Sequence, residues 1–384
     1  MPSSFKIARV AGIDIGIHYT WLFAFVLIAW SLAAGFFPST FVGFDMTTYW
    51  VLGAVGALGL FASVLFHELS HSFVALARGM SVHSITLFIF GGVSNLQSEA
   101  EEAKDEFLVA VVGPLSSFVL AAVFWALEQP LSPSSPVGAL FGYLAFVNLM
   151  LGVFNLVPGF PLDGGRVLRS IVWAVTGSLR RATAIASFAG QGIGFLLIFW
   201  GLSRIFAGDF LGGLWTAFIG WFLNNAAEGT RQQQAVREQL RGVRVVQVMD
   251  PRPPVVEPGL SVYDFVFEHV LFRGQRAVLV GRQGRLLGIA SITDAKRIPQ
   301  TAWPTTPIEQ IMSHVPLRSV PADADLAEGL RLLTENGLNQ VPVVDDGTLL
   351  GMLSRADVLR FLQYRDELGV RGARAQTTSP RAVG

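Results

Sequence analysis

The segment His67-Glu68-Leu69-Ser70-His71 places two imidazoles four residues apart with a carboxylate beside the first. Residues four apart share a face of an α-helix, so His67 and His71 can offer ring nitrogens to one metal ion. Glu68 stands where a carboxylate can take the proton of an attacking water. The surrounding run, residues 50–77, is apolar apart from this motif and a few hydroxyls. Three ionisable groups in such a helix are costly without a function, which weighs against chance polar residues on a soluble helix. The 384 residues include no cysteine. Disulfides and thiolate zinc sites are therefore excluded, and any metal must be held by His, Asp or Glu.

Two histidines leave a catalytic zinc one protein ligand short. The candidate is Asp163, in the stretch Asn155-Leu-Val-Pro-Gly-Phe-Pro-Leu-Asp163-Gly164-Gly165. Pro158 and Pro161 interrupt the apolar run there, and paired glycines remove side chains where backbones must approach. A broken helix at membrane depth is tolerated where it lines a polar cavity, and this one would aim Asp163 at the metal. The competing reading is that Asp163 only caps the short helix that follows. His18, His83, His269 and His314 have no partner at ligand spacing and read as structural.

The elements that must hold these groups are membrane helices. The chain is 52% hydrophobic and 15% charged, with a mean hydropathy of +0.50, where a soluble domain carries about a quarter charged residues. Its formal net charge of zero argues against nucleic acid as a partner. Runs long enough to cross a bilayer lie at 19–37, 50–77, 107–127, 138–157, 185–206 and 210–225. Residues 165–177 are apolar but short and carry Arg166 and Arg169, which suits a partial or surface helix. Residues 84–93 are β-branched and aromatic and too short to span as a helix; they read as a re-entrant strand whose edge could pair with an unfolded substrate segment. Basic residues gather in alternate loops, with Arg204 the exception. That bias puts both termini and the polar C-terminal part in the cytosol of a multi-pass plasma-membrane protein. The run 21–30 followed by Ser31-Leu32-Ala33 has a signal-peptide look but is long, and is taken as a retained helix.

With these residues in view, the first 228 residues resemble the site-2 protease family of intramembrane metalloproteases. The resemblance rests on HELSH at 67–71 and NLVPGFPLDGG at 155–165, with softer matches at 90–93 (FGGV) and Gly113-Pro114. It implies zinc on His67, His71 and Asp163, Glu68 as general base, and Asn155 holding the substrate carbonyl or the oxyanion. It also implies a prokaryotic chain whose substrate is a membrane-embedded peptide or protein, such as a membrane-held transcription regulator.

The polar C-terminal part repeats itself. Val248-Met249 recurs as Ile311-Met312, Gly288 as Gly351, Ser291 as Ser354 and Asp294 as Asp357, all at one offset. A fixed offset marks a duplicated unit. Strand-like runs each precede a Ser-x-x-Asp that opens a helix. This resembles a tandem pair of CBS domains, which implies ATP, ADP or AMP held through Ser291, Asp294, Ser354 and Asp357, and a route to a homodimer. The alternative is that Ser caps the helix and Asp favours its first turn. In the first copy Leu279 stands where the second has Pro342, a departure from the common pattern.

The expected fold class is thus a polytopic α-helical membrane domain of about six transmembrane helices with a re-entrant β segment, plus a cytosolic α/β tandem CBS module. The expected division is 1–228 membrane zinc protease, 229–243 polar helical linker, 244–300 and 301–365 the two CBS domains, and 366–384 a disordered tail. The expected activity is zinc endopeptidase action within the bilayer, tuned by nucleotide. A CBS-gated channel or transporter is the alternative, but it would spread ionisable residues along several spans. A non-proteolytic scaffold would keep the fold without needing Glu68.

Overall fold

The computed structural model describes residues 4–89, 91–96, 100–132, 135–282, 285–345 and 348–368. It forms two compact units, Met1–Gln234 and Ala235–Gly384.

The first unit opens with a hairpin, β1 (Ser4–Val10) and β2 (Ile13–His18). It is followed by α1 (Thr20–Thr40) and α2 (Met46–Ala77), then β3 (Val82–Phe88) and β4 (Gly91–Leu96). Next come α3 (Ala103–Glu128), α4 (Pro136–Asn155), α5 (Asp163–Thr176), α6 (Leu179–Phe206) and α7 (Phe210–Leu240), whose residues from Ala235 onward belong to the second unit. Among the described residues, α1, α2, α3, α4 and α6 are long and apolar enough to cross a membrane, and only 28–39% of their apolar windows is buried inside the protein. The rest faces outward, as with Phe199 at 74% exposure, which suits lipid and not water. The stretch expected as a sixth span, 210–225, lies within α7, which is not among these five helices.

Helix starts follow from local chemistry. Asp45 accepts the Thr48 amide at 3.3 Å to open α2, and Ser135 accepts the Gly138 amide at 3.4 Å with Pro136 next to it opening α4. Arg204, the exception to the loop-charge pattern, is paired with Asp209. The Gly212 amide and the Arg204 guanidinium hold the Asp209 carboxyl below its ordinary range.

The expected strand at 84–93 lies within a larger structure. β3 and β4 form an antiparallel pair, and β3 also pairs in parallel with β2, giving a four-stranded sheet in the order β1-β2-β3-β4. Phe90 lies outside the described residues. Ile13, Val82 and Ile85 of the sheet pack with Ala75 of α2 and Val109 of α3 in one buried cluster.

The second unit carries the repeat. β5 (Val255–Val256), β6 (Ala277–Arg282), β7 (Arg285–Ser291) and β8 (Ser313–His314) form one sheet, while β9 (Gln340–Asp345) and β10 (Thr348–Ser354) form another. Short α8 (Ile292–Ala295) follows β7, α9 (Leu326–Glu335) precedes β9, and α10 (Arg355–Glu367) follows β10. Each repeat gives its lead-in segment to the other. Leu240, Val243 and Val245 pack with Val341, Val343 and Leu353 of the second copy, and Asp250 bridges to Met352. Conversely, Ser313 and His314 pair with β7 of the first copy. Of the expected tail, residues 369–384 lie outside the described residues.

Candidate metal centre

His67 and His71 lie on one face of α2 and are both buried, at 4% and 5% exposure. Asp163 is the first residue of α5, after the turn 156–162 that contains Pro158 and Pro161. That turn is tied to α6 through the Phe160 amide, which donates to the Ala186 carbonyl at 3.1 Å. No side chain caps α5 at Leu162.

The Asp163 carboxylate turns instead to the histidines. Its Oδ2 lies 3.0 Å from His67 Nε2 and 3.1 Å from His71 Nε2, and the two Nε2 atoms are 3.1 Å apart. Donors held 2.0–2.1 Å from a tetrahedral zinc lie about 3.3 Å from one another. The nearly equilateral triangle therefore fits one face of a zinc coordination tetrahedron. The far side of each ring supports this. His71 Nδ1 lies 2.5 Å from the Val109 carbonyl. A carbonyl only accepts, so Nδ1 carries the proton and Nε2 presents its lone pair to the centre. His67 Nδ1 lies 2.9 Å from Ser117 Oγ, which can accept in the same way. Two imidazole nitrogens and a carboxylate oxygen converge closely enough to share one cation. The donor set, two imidazoles and a carboxylate, suits zinc.

α3 approaches the centre without a side chain. A Cβ on Gly113 would fall 2.1 Å from His71 Nε2 and 2.7 Å from His67 Nε2, in the space that an ion needs. A Cβ on Gly92 of β4 would fall 2.5 Å from Glu68 Cγ. The backbone of β4 thus runs directly over Glu68.

Asn155 closes α4, and its amide donates to the Leu151 carbonyl within its own helix at 2.9 Å. The turn 156–162 separates it from Asp163. In the second unit the Ser-x-x-Asp pairs form capping boxes. Asp294 Oδ2 accepts the Ser291 amide at 2.9 Å and its hydroxyl at 2.6 Å. Asp357 Oδ2 accepts the Ser354 amide at 3.1 Å and its hydroxyl at 2.5 Å. Their Oδ1 atoms lie 3.6 Å from Arg297 and 3.4 Å from Arg360. Helix capping, one of the two readings of this motif, is thus realised in both copies.

Val109 and Ser117 had no signature of their own. A backbone carbonyl and a serine on an apolar span become visible only when α3 is seen beside α2. Gly113-Pro114, midway between them, was the nearest signal.

The peptidase family M50 profile matches residues 55–133 and 130–199, and the CBS domain profile matches 303–364. The chain is 35% identical over 367 residues to a Synechocystis sp. protein named "Putative zinc metalloprotease sll0528", covering 94% of this chain and 96% of that one. It is 37% identical over 376 residues to a Mycobacterium tuberculosis protein named "Putative zinc metalloprotease Rip3", covering 95% and 94%. A solved structure titled as the site-2 protease from Methanocaldococcus jannaschii aligns at a TM-score of 0.42 with 28% identity, over 59% of this chain and 95% of that one. With two relatives matched over almost their whole length, the chain belongs to peptidase family M50, the site-2 protease family of membrane metalloproteases, and bears a CBS module at its C-terminal end.

Proposed function

We propose that this chain is an intramembrane zinc endopeptidase that hydrolyses peptide bonds of membrane-embedded substrates, with zinc held by His67, His71 and Asp163. The observation that carries this is the triangle of converging donors beside Glu68. Zinc bound there would polarise the scissile carbonyl and make water acidic enough to ionise near neutral pH.

The chain's own groups do the rest. Glu68 takes a proton from the attacking water as its oxygen joins the carbonyl carbon, then gives that proton to the leaving amine as the C–N bond breaks. Asn155, on leaving its bond to Leu151, can donate its amide to the substrate carbonyl or the oxyanion. Among the described residues β4 pairs with β3 alone, and its Gly92 lies against Glu68. An extended substrate segment added at that edge would present its backbone beside the base.

The substrate class is a single-pass membrane protein, such as a membrane-held transcription regulator, cut in regulated proteolysis. The loop charges support cytosolic termini, with 210–225 as the sixth span. The CBS module would bind an adenine nucleotide through Ser291, Asp294, Ser354 and Asp357, each carboxylate giving up its capping bonds to do so, and would offer a homodimer contact. A ligand preferring one arrangement of the pair could shift activity by about 5–150-fold, the usual range of such coupling.

Purified protein in lipid vesicles should contain one zinc per chain and cut a co-reconstituted single-pass substrate. ATP, ADP or AMP should change that rate, and Asp294→Ala with Asp357→Ala should blunt the response at unchanged zinc content. Absence of zinc after purification in zinc-supplemented buffer contradicts the metal assignment. Calorimetry without nucleotide binding reduces the module to a docking or dimerisation element.

A further inference from the structure

Glu106 and Arg169 form a buried ion pair that the chemistry above does not use. Glu106, in the first turn of α3, is 1% exposed, and the Arg169 side chain on α5 is 13% exposed. Arg169 Nε donates to Glu106 Oε1 at 2.6 Å, and Nη2 meets the same oxygen. The guanidinium carbon also lies 5.2 Å from the centroid of the Phe160 ring. Phe160 belongs to the turn that leads into Asp163. One guanidinium therefore touches α3, α5 and the turn between α4 and α5.

The position of Glu106 along α3 gives the contact its meaning. Glu106, Val109, Gly113 and Ser117 follow one another at helical spacing on a single face. Val109 and Ser117 anchor the far nitrogens of His71 and His67, and Gly113 clears the space at their near nitrogens. The helix that fixes both histidines thus also grips the helix that carries the third ligand. Stability alone does not explain such a pair. Burying two charges costs several kcal/mol per ion, and well-packed apolar residues often do as well or better. The Glu106–Arg169 pair is a tie between α3 and α5 that does not pass through Asp163, His67 or His71.

We propose that Glu106 and Arg169 are positioning residues that hold α5 against α3 so that Asp163 meets the His67–His71 pair in a preformed site. This rests on the metal reading of that site. Neither residue touches substrate or metal; each acts through Asp163.

The test is zinc affinity of the full chain, measured by competition with a chromogenic chelator, in Asp163 and Asp163→Asn backgrounds. The double variant Glu106→Leu/Arg169→Met leaves no unpaired buried charge, and metal-free melting checks its fold. With Asp163 present it should bind zinc about 10–100-fold more weakly, the usual cost of losing support behind a ligand. In the Asp163→Asn background the same change should alter affinity less than about twofold, since sites that act only through each other do not add. Arg169→Lys keeps the charge but not the two-nitrogen grip and should fall about 3–10-fold below wild type. Wild-type affinity in the double variant, or an equal loss in both backgrounds, overturns the clamp and leaves the metal site standing. If the double variant does not fold, wild-type affinity in Arg169→Lys overturns it instead. A wild-type chain that binds no zinc overturns the metal reading and the clamp together.

Discussion

Asp163 in the membrane unit and Asp294 and Asp357 in the C-terminal unit all sit in the first turn of a helix, where a carboxylate is favoured by the exposed amides. Their oxygens are spent differently. Asp294 and Asp357 bond the N-cap serine three residues back, a local arrangement that any helix start can use. Asp163 has no cap partner at Leu162, and its Oδ2 goes to His67 and His71, 96 and 92 residues away. A carboxylate that gives up local satisfaction for distant groups in a buried setting has been placed there by the fold. One that closes a capping box has a sufficient structural reason to exist. The contrast separates the proposed metal ligand from the two proposed nucleotide contacts, although all three carboxylates lie in the first turn of a helix.

Exchanging carboxylate for amide should break this symmetry most strongly. Asp163→Asn should lower zinc occupancy of the purified chain and, with it, most of the cleavage, because a neutral amide is a poor zinc ligand. Asp357→Asn should leave zinc content at the wild-type value. Full occupancy in Asp163→Asn, by elemental analysis, would place the third ligand elsewhere.

The support behind the ligands comes next. Ser117→Ala removes the group 2.9 Å from His67 Nδ1. It should weaken zinc binding about 10–100-fold, the usual cost of losing an outer partner of a metal-bound histidine. Chelator competition reads this directly, and unchanged affinity would mean that His67 is oriented by packing alone.

The smallest effect belongs to the local caps. Ser354→Ala deletes the oxygen that accepts the Asp357 amide at 3.1 Å. It should destabilise α10 by about 1 kcal/mol, visible as a lower melting temperature of the C-terminal unit with zinc content unaltered. A change in zinc affinity from this substitution would contradict the division of roles between the units.

How much of this was legible before the structure differs between the regions in the same way. His67, Glu68 and His71 announce themselves because helical spacing and the cost of charge in an apolar run act locally. The short helix at Asp163 and the break before it follow from Pro158 and Pro161. The fixed-offset repeat is visible without any geometry. What stays hidden depends on chain segments meeting at long range. β1 and β2 alternate apolar and polar residues only briefly, and β2 finds its partner in β3, some 70 residues on, as Asp14 with Ser84. Val109 reaches His71 only through its backbone carbonyl, and no residue type predicts that. The packing of Val243 and Val245 into the second copy is a crossover that a linear reading of the repeat does not reveal.

The central claim is that the three-donor centre works with Glu68 to cut peptide bonds. Glu68→Gln keeps His67, His71 and Asp163 and removes the base alone. Zinc content and substrate cleavage should be measured on the same preparations of wild type and Glu68→Gln in vesicles. The account predicts equal zinc in both and a cleavage rate at least about 10²–10⁴-fold lower in Glu68→Gln, the range expected for loss of a general base. Undiminished cleavage by Glu68→Gln, free of contaminating protease, would contradict it.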